Sequence, residues 1–328
     1  MAGTVTDTYV NNKIVFVPGK NPKPAPDAHR ALLWRCLRRG VELVDPVAAN
    51  SLDAWPGCFE LIAWNAIYYD QIKDVEEDIP WIELLCRKTG PDADDVRASL
   101  SWRKKRARLL YTIADLVPLL IPLLPDPAVK NTIRETERYF QNQDGIGTQL
   151  RELVKAPLRT LFAHGQRVLL IGHSLGAVIA YDALWELTHL ERHPGKVDLF
   201  LTIGSPLGMR FVQDRLLGFR QRERRFPCNL RRWVNITAHG DIAALDPDVH
   251  DDYLPMLGQG CVETIEDQNR GVFNYFRNEQ GLNEHRSYGY LVEPHVARTI
   301  AGWWTGGPEQ AGRAPGTAAP LAGRAGMA

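Results

Sequence analysis

The chain has 328 residues, of which 45% are apolar and 24% charged, a balance that supports a large buried core and excludes wholesale disorder. Its 39 basic and 39 acidic side chains leave no net charge, so we expect no nucleic-acid partner. The five cysteines are odd in number and widely spaced, which predicts neither a disulfide framework nor a zinc site and favours a reducing, cytoplasmic location.

Neither the N-terminus nor the most apolar segment of the chain has the features of a membrane segment. Residues 1–13 are polar and lack the apolar core of a secretory signal. Leu109–Pro127 is strongly apolar, but Asp115 and four prolines interrupt it. Because a spanning helix needs about 20 predominantly apolar residues, we expect none here.

The first part of the chain alternates apolar strand-like runs with helix-like patterns. Ile14–Val17 predicts a buried strand that ends at a Pro-Gly pair, and an amphipathic helix is expected over about His29–Arg39. Two further apolar runs, Val41–Val44 and Phe59–Asn65, predict a second and a third strand.

Residues 66–137 break this alternation and predict a helical insertion or lid. Helices are expected at Trp81–Cys86 and Val96–Ile113, and Leu109–Leu124 is apolar and broken by prolines. The insertion can fold over the strand ends, where its leucines would line an acyl pocket or touch lipid. Simple packing of these leucines on the core is the alternative.

Two basic segments bear on a lipid partner. One lies within the insertion at residues 103–108, and the other is the arginine-rich stretch Arg215–Arg232. Such clusters favour peripheral contact with anionic lipid headgroups. A solvated helix face is the alternative that composition alone leaves open.

The second half of the chain returns to a regular alternation. Strands are predicted at Val168–Ile171, Leu199–Ile203, Trp233–Thr237 and Cys261–Ile265, and helices at Glu135–His164 (with a break at Asp144-Gly145), Ala177–Leu190 and Pro294–Trp304. This pattern predicts an α/β domain over residues 1–305, with a mostly parallel sheet covered by helices on both faces. Residues 306–328, rich in Gly, Ala and Pro, predict a disordered tail.

Residues 172–176 read Gly-His-Ser-Leu-Gly and match the G-x-S-x-G nucleophile motif between an apolar strand and a helix. With the composition of this chain, chance would produce only about 0.04 such matches. The motif makes Ser174 a candidate nucleophile at a strained strand-to-helix turn. The alternative is an ordinary glycine-rich turn with a serine helix cap.

A serine nucleophile needs a base and a carboxylate that orients the base. Asp241 follows the predicted strand Trp233–Thr237 by a short loop and is the candidate acid. His285 lies in a polar loop before the final helix and is favoured as base over His295, which begins that helix. Other acids, expected to form a solvated loop rather than a cation site, are Asp246, Asp248, Asp251 and Asp252.

An oxyanion hole needs two backbone donors near the serine. The N–H of Leu175, directly after Ser174, is one candidate. The second is expected from the loop after the first strand, at Gly19 or Lys20, because glycine permits close backbone approach. A simple turn glycine is the alternative.

At these residues the chain resembles serine esterases and lipases of the α/β-hydrolase superfamily, with likeness to DDHD-type phospholipases. The segments GHSLGAVIAYDAL, DLFLTIGSPLG and VNITAHGDIAALDP carry the resemblance, together with His285 and Tyr288 as a His-x-x-Tyr pair. It covers roughly residues 165–300, with an echo at VFVPGK. It implies an α/β-hydrolase fold with Ser174 as nucleophile, Asp241 as triad acid and His285 as base.

The sequence therefore predicts a serine hydrolase that cleaves acyl esters or lipids through a Ser-His-Asp triad and an acyl-enzyme, without cofactor or metal. An acyltransferase or a peptidase would use the same triad. A non-catalytic protein of the same fold that binds a lipid or a partner is the alternative from another functional class.

Overall fold

Six strands form one fully parallel sheet in the computed structural model, which describes residues 11–101, 136–242 and 244–306. The strands are β1 Asn12–Val17, β2 Phe59–Leu61, β3 Arg167–His173, β4 Val197–Ile203, β5 Leu230–Ile236 and β6 Thr264–Gln268. Their order is β2-β1-β3-β4-β5-β6, and every neighbouring pair is parallel. The chain thus reverses its direction of travel across the sheet between β1 and β3, and in open α/β sheets ligands bind at such a switch point, outside the carboxyl ends of the strands.

Helices cover both faces of this sheet. The helices include α1 Pro26–Val44, α2 Pro46–Asp53, α3 Asn65–Tyr68, α4 Ile79–Arg87, α5 Ala93–Ser99, α6 Ile146–Ala163, α7 Leu175–His189, α8 Arg210–Gln213, α9 His250–Gly258, α10 Ser287–Val292 and α11 Pro294–Thr305, and residues 136–140 are helical as well. A short antiparallel pair, β7 Arg277–Asn278 and β8 Gly281–Leu282, lies outside the main sheet. The predicted α/β class, with a parallel sheet between two helical layers, is confirmed.

The alternation of side chains along the strands produces two separate cores. Val15 and Val17 of β1 pack on the face that carries α6 and α7. Ile14 and Phe16 point to the opposite face, against α1, α10 and α11. Because successive residues of a strand face opposite sides, a strand buried on both faces is apolar throughout, which is why these strands are visible as continuous apolar runs.

One predicted strand is wrong. Val41–Val44 forms the last turn of α1 rather than a strand. Leu33, Leu37 and Val41 are each four residues apart, so all three lie on the buried face of one helix. The helical period continues through the short apolar run, and that period decides its structure.

The third predicted strand is shorter than the apolar run that suggested it. Phe59–Asn65 is a strand only over Phe59–Leu61, and α3 begins at Asn65. In the predicted insertion, Trp81–Cys86 lies inside α4, and α5 covers the start of Val96–Ile113. The remainder of that helix, Leu109–Leu124 and the basic residues 103–108 lie outside the described residues, as does the tail after residue 306.

The expected break in the helix before β3 is confirmed. Asn142, Asp144 and Gly145 have positive φ angles, and a 3₁₀ turn over Gln143–Gly145 precedes α6. Since left-handed backbone cannot continue an α-helix, α6 starts afresh at Ile146. Among the helices in the described part of the chain, none is both long and apolar enough to cross a membrane.

The expectation of wholly reduced cysteines is wrong for one pair. Cys228 and Cys261 form a disulfide, and Cys36, Cys58 and Cys86 are free. The paired cysteines lie shortly before β5 and β6, which are neighbours in the sheet with Arg232 opposite Thr264. Sequence spacing alone conceals this proximity, because it depends on the strand order. The expected cytoplasmic location loses the support of these two cysteines.

Candidate active site

The sharp turn at Ser174 connects β3 to α7. Ser174 has φ 53° and ψ −128°, a backbone conformation that residues other than glycine rarely adopt. A Cβ on Gly172 would lie 2.5 Å from Cα of Ala177, and one on Gly176 would overlap the carbonyl oxygen of Val17. Both glycines are therefore required by close backbone approach, which gives the G-x-S-x-G spacing its physical cause.

Ser174, His285 and Asp241 form one continuous hydrogen-bonded series. Nε2 of His285 is 2.9 Å from Oγ of Ser174, and Nδ1 is 2.9 Å from Oδ2 of Asp241. With Nδ1 protonated, the imidazole donates to the carboxylate and accepts from the serine hydroxyl. Asp241 is 1% exposed, whereas 27% of the His285 side chain is exposed. The buried carboxylate thus orients an imidazole that solvent can reach.

The loop that carries His285 is held in place by a buried amide. Nδ2 of Asn274 donates to the carbonyl oxygens of Glu284 and Arg286 at 2.8 Å each, on either side of the histidine. The backbone N–H of His285 donates to Oδ1 of Asn283 at 3.2 Å. Asn274 has no signal in the sequence, because an isolated asparagine in a loop belongs to no motif.

His173, the residue before the serine, contacts the same loop. Its Nε2 is 2.8 Å from the carbonyl oxygen of His285 and donates to it, and the two rings are 4.8 Å apart. Burial, and then the neighbouring His285, holds the pKa of His173 well below its ordinary value. His173 is therefore a neutral donor that fixes the backbone of His285 relative to Ser174.

The loop between β1 and α1 lies directly against the serine. A Cβ on Gly19 would be 2.9 Å from Cβ of Ser174 and 2.7 Å from Nδ1 of His173, so only glycine fits. Lys20 follows Gly19 in this loop, and its carbonyl oxygen accepts from Nζ of Lys23 at 2.8 Å. Leu175 begins α7, so its N–H belongs to the unpaired first turn of the helix.

Two side chains at the end of the third apolar run hold this loop. Nε1 of Trp64 donates to the carbonyl oxygen of Pro18 at 2.7 Å. Nδ2 of Asn65 donates to the carbonyl oxygens of Gly19 and Asn21 at 2.9 and 3.0 Å. The departure of the chain from β2 after Leu61 places both side chains beneath the loop. Both residues fall within the predicted strand Phe59–Asn65, and no pattern in the sequence indicates this role.

A buried carboxylate connects the start of the insertion to the histidine loop. Asp78 accepts from Nη2 of Arg286 and from Nζ of Lys73, both at 2.6 Å. Tyr288 also donates to Asp78, at 3.3 Å. Since Arg286 directly follows His285, this ion-pair cluster is a second anchor for the loop.

The other sequence candidates lie away from Ser174. Nδ1 of His295 bonds to Oε1 of Glu293 at the start of α11, 2.9 Å away, and this contact raises the pKa of His295. Asp252 accepts from Gln213, and Asp251 contacts His250. Asp246 and Asp248 lie in the same acidic loop after β5. Within residues 11–101, 136–242 and 244–306, no three His, Cys, Asp or Glu side chains are grouped to hold a metal ion.

The chemistry of this site has to be inferred from its own geometry. Comparison of the chain with protein-family models, curated proteins and solved structures finds no match.

Proposed function

We propose that the chain is a serine hydrolase of the α/β-hydrolase type that cleaves carboxylic esters. The observation that carries the proposal is the hydrogen-bonded series from Ser174 through His285 to Asp241, located at the switch point of a parallel sheet. A nucleophile, a base within hydrogen-bond reach and a buried carboxylate that orients the base are the three parts that acyl transfer requires.

In the proposed reaction, His285 takes the proton of Ser174 while Oγ attacks the acyl carbon. The tetrahedral intermediate then collapses, and the imidazolium gives its proton to the departing alcohol. A water molecule, deprotonated by His285, attacks the acyl-enzyme and releases the acid. Asp241 keeps the Nδ1–H tautomer of His285 and stabilises the imidazolium at each step.

The negative oxygen of the tetrahedral intermediate requires backbone donors. In the proposal, the N–H of Leu175 supplies the first of them. The N–H of Gly19 or Lys20 supplies the second, and the absence of a side chain at Gly19 lets the loop lie beside the serine. Donors fixed in advance cost no reorganisation during the reaction.

Apolar side chains near the site support an acyl or lipid substrate. Ile67 of α3, Leu100 after α5 and Ile242 after Asp241 are each 40% to 48% exposed. The carbonyl of Ser99 lies next to Gly240, which places the end of α5 beside the Asp241 turn. Exposed apolar groups around a polar site are typical of surfaces that receive apolar ligands. Peripheral contact of the basic segment Arg215–Arg232 with anionic lipid is part of the proposal.

The test is covalent labelling by a fluorophosphonate, which needs no knowledge of the substrate. We expect rapid labelling at Ser174, located by mass spectrometry of the digested protein, and none in Ser174→Ala. His285→Ala and Asp241→Asn should slow labelling by about 10³-fold or more. His295→Ala is the matched control and should label at the wild-type rate. A folded protein that resists labelling even with detergent or lipid would contradict the proposal and favour a binding role.

A second experiment separates hydrolysis from acyl transfer. Aryl esters of increasing acyl length would be offered with and without an added alcohol or amine. Constant release of free acid in the presence of the acceptor supports hydrolysis. Diversion of the acyl group to the alcohol or the amine would instead identify a transferase, and cleavage of amides in preference to esters would identify a peptidase.

A further inference from the structure

We infer that Tyr290 is a positioning residue that acts on His285 through Asp241, an inference that rests on the proposed function and deepens it. The hydroxyl of Tyr290 donates to Oδ2 of Asp241 at 2.6 Å. The same oxygen accepts from Nδ1 of His285. Two donors therefore share one carboxylate oxygen, and the strength of one hydrogen bond depends on the other.

The tyrosine hydroxyl is itself held by the backbone. The N–H of Ala238 donates to the oxygen of Tyr290 at 3.0 Å. A hydroxyl that accepts one hydrogen bond becomes a stronger donor in the next, so the amide reinforces the contact with Asp241. The N–H of Asp241 donates to the carbonyl of Ala238 at 3.2 Å, which closes the turn that carries the carboxylate.

A missing side chain makes room for this contact. Gly204, after β4, has φ 52°, and a Cβ there would lie 2.7 Å from Oδ2 of Asp241 and 2.9 Å from Cε2 of Tyr290. Helix α10, which carries the tyrosine, packs tightly on α1, where Gly40 meets the carbonyl of Leu291. The Tyr290 ring is fully buried, so its hydroxyl cannot turn to solvent for a hydrogen bond.

The contact has an electrostatic consequence for the base. A hydrogen bond to an ionised carboxylate stabilises its charge and reduces its strength as an acceptor toward the imidazole. Burial, and then the charge of Asp241, raises the pKa of Tyr290 well above its ordinary value, so the hydroxyl remains a donor across the working pH range. Tyr290 should thus keep His285 in its neutral, basic form at lower pH than Asp241 alone would allow.

Tyr139 provides a matched control. It is equally buried and its hydroxyl also donates to a buried carboxylate, Oδ2 of Asp182 at 2.8 Å, but it packs in the core on the opposite face of the sheet from Tyr290. Other titratable or charged groups around His285 and its partner His173 are Ser174, Glu284, Arg286, Lys23 and Asp78. These groups are unchanged in a Tyr290→Phe variant.

The experiment compares wild type, Tyr290→Phe and Tyr139→Phe in two measurements. The first is the rate of fluorophosphonate labelling at Ser174 from about pH 5 to 9. The second is the NMR titration of the His285 ring, whose signals are assigned by their absence in His285→Ala. We expect both midpoints to rise by roughly half a pH unit or more in Tyr290→Phe. Both midpoints should stay at the wild-type value in Tyr139→Phe.

A second variant tests the direction in which the two pH midpoints move. Incorporation of 3,5-difluorotyrosine at position 290 keeps the ring and the hydroxyl but makes the phenol a stronger donor, so the midpoint should fall. This variant also serves if Tyr290→Phe fails to fold. Unchanged midpoints in both variants of Tyr290, or an equal shift in Tyr139→Phe, would overturn the inference. If wild-type Ser174 does not react at all, the proposed hydrolase fails, and the ring titration still decides whether Tyr290 acts on His285.

Discussion

Ser174 and His285 reach the same point of the molecule by different physical means. The turn at Ser174 is determined locally, by two glycines and by an apolar strand and a helix that continue directly from it. The loop of His285 has little regular structure and is held by side chains outside it, Asn274 at 10 and 12 residues from its bonding partners and Asp78 at 208. The position of Ser174 therefore depends on backbone sterics, and that of His285 depends on a few side-chain hydrogen bonds.

The largest effect is expected from a methyl group added at the turn of Ser174. In Gly176→Ala the new Cβ would overlap backbone oxygens of Val17 and Pro18, which cannot move aside without disturbing β1. We expect the free energy of unfolding, measured by denaturant titration, to fall by about 3 kcal/mol or more.

Gly302→Ala is the control for that experiment. Gly302 lies inside α11 with open space around its Cα, so alanine should raise the free energy of unfolding by roughly 0.5–1 kcal/mol. Equal effects of the two substitutions would show that close approach at the turn is not what fixes Ser174.

The support of the His285 loop by side-chain hydrogen bonds is broken by Asn274→Ala. The variant loses both hydrogen bonds to the carbonyls beside His285, while the turn at Ser174 keeps all its contacts. We expect fluorophosphonate labelling to slow by on the order of 10- to 100-fold, because the base is displaced from the serine. Asn269→Ala, in an exposed loop, should label normally. A normal rate for Asn274→Ala would show that Asp78 and His173 hold the loop without the amide.

A smaller effect on activity is expected at the loop after β1, which is held both by close backbone packing at Gly19 and by side-chain hydrogen bonds. Asn65→Ala removes the donors to the carbonyls of Gly19 and Asn21, but Trp64 still holds Pro18. We expect a loss of about 10-fold in kcat for an ester substrate, with KM little changed. Asn50→Ala, an exposed asparagine of α2, is the control and should leave kcat unchanged. An increase in KM with constant kcat would instead place Asn65 in substrate binding.

The smallest effect separates the two histidines that the sequence left in competition. The pKa of His295 is raised by its hydrogen bond to Glu293, so this contact stabilises the folded chain below the ordinary histidine pKa, and the stabilisation is lost as the pH rises through the raised value. Since the ring is partly exposed, solvent screening limits the difference between wild type and His295→Ala to a few tenths of a kcal/mol. Unfolding titrations at pH 5 and pH 8 would measure it, and a loss of Ser174 labelling in this variant would contradict its exclusion from the site.

The same division explains what could be predicted from the sequence. The motif around Ser174 and four apolar strands, β1, β3, β4 and β5, are local patterns, and the structure has them at the expected positions. The last strand, predicted at Cys261–Ile265, begins only at Thr264. The prediction of a strand at Val41–Val44 is wrong because a four-residue run fits both a strand and the end of a helix. His285 and Asp241 could be selected only by their place between elements, and the structure brings both to Ser174.

The supporting residues could not be predicted, for a physical reason. Trp64 and Tyr290 each act through a hydrogen bond to a residue 46 or 49 positions away, and Asn274 acts through two bonds to carbonyls 10 and 12 positions away. No periodicity or spacing marks any of the three. The disulfide between Cys228 and Cys261 is hidden in the sequence for a similar reason, because it depends on β5 and β6 being neighbours. In this molecule, local sequence indicates where chemistry can occur, and tertiary structure determines how accurately its groups are held.

The position of His173 affects how positional errors accumulate in the site. The chain between Ser174 and His285 is 111 residues long, and small displacements along such a path would add up. The hydrogen bond from His173 to the carbonyl of His285 connects Ser174 to His285 a second time, through only one side chain and two peptide units. Because this connection is short, we expect the distance between Ser174 and His285 to vary much less than the distance of either residue from the outer loops. His173, the residue before the serine in the G-x-S-x-G motif, thus fixes the distance between Ser174 and His285.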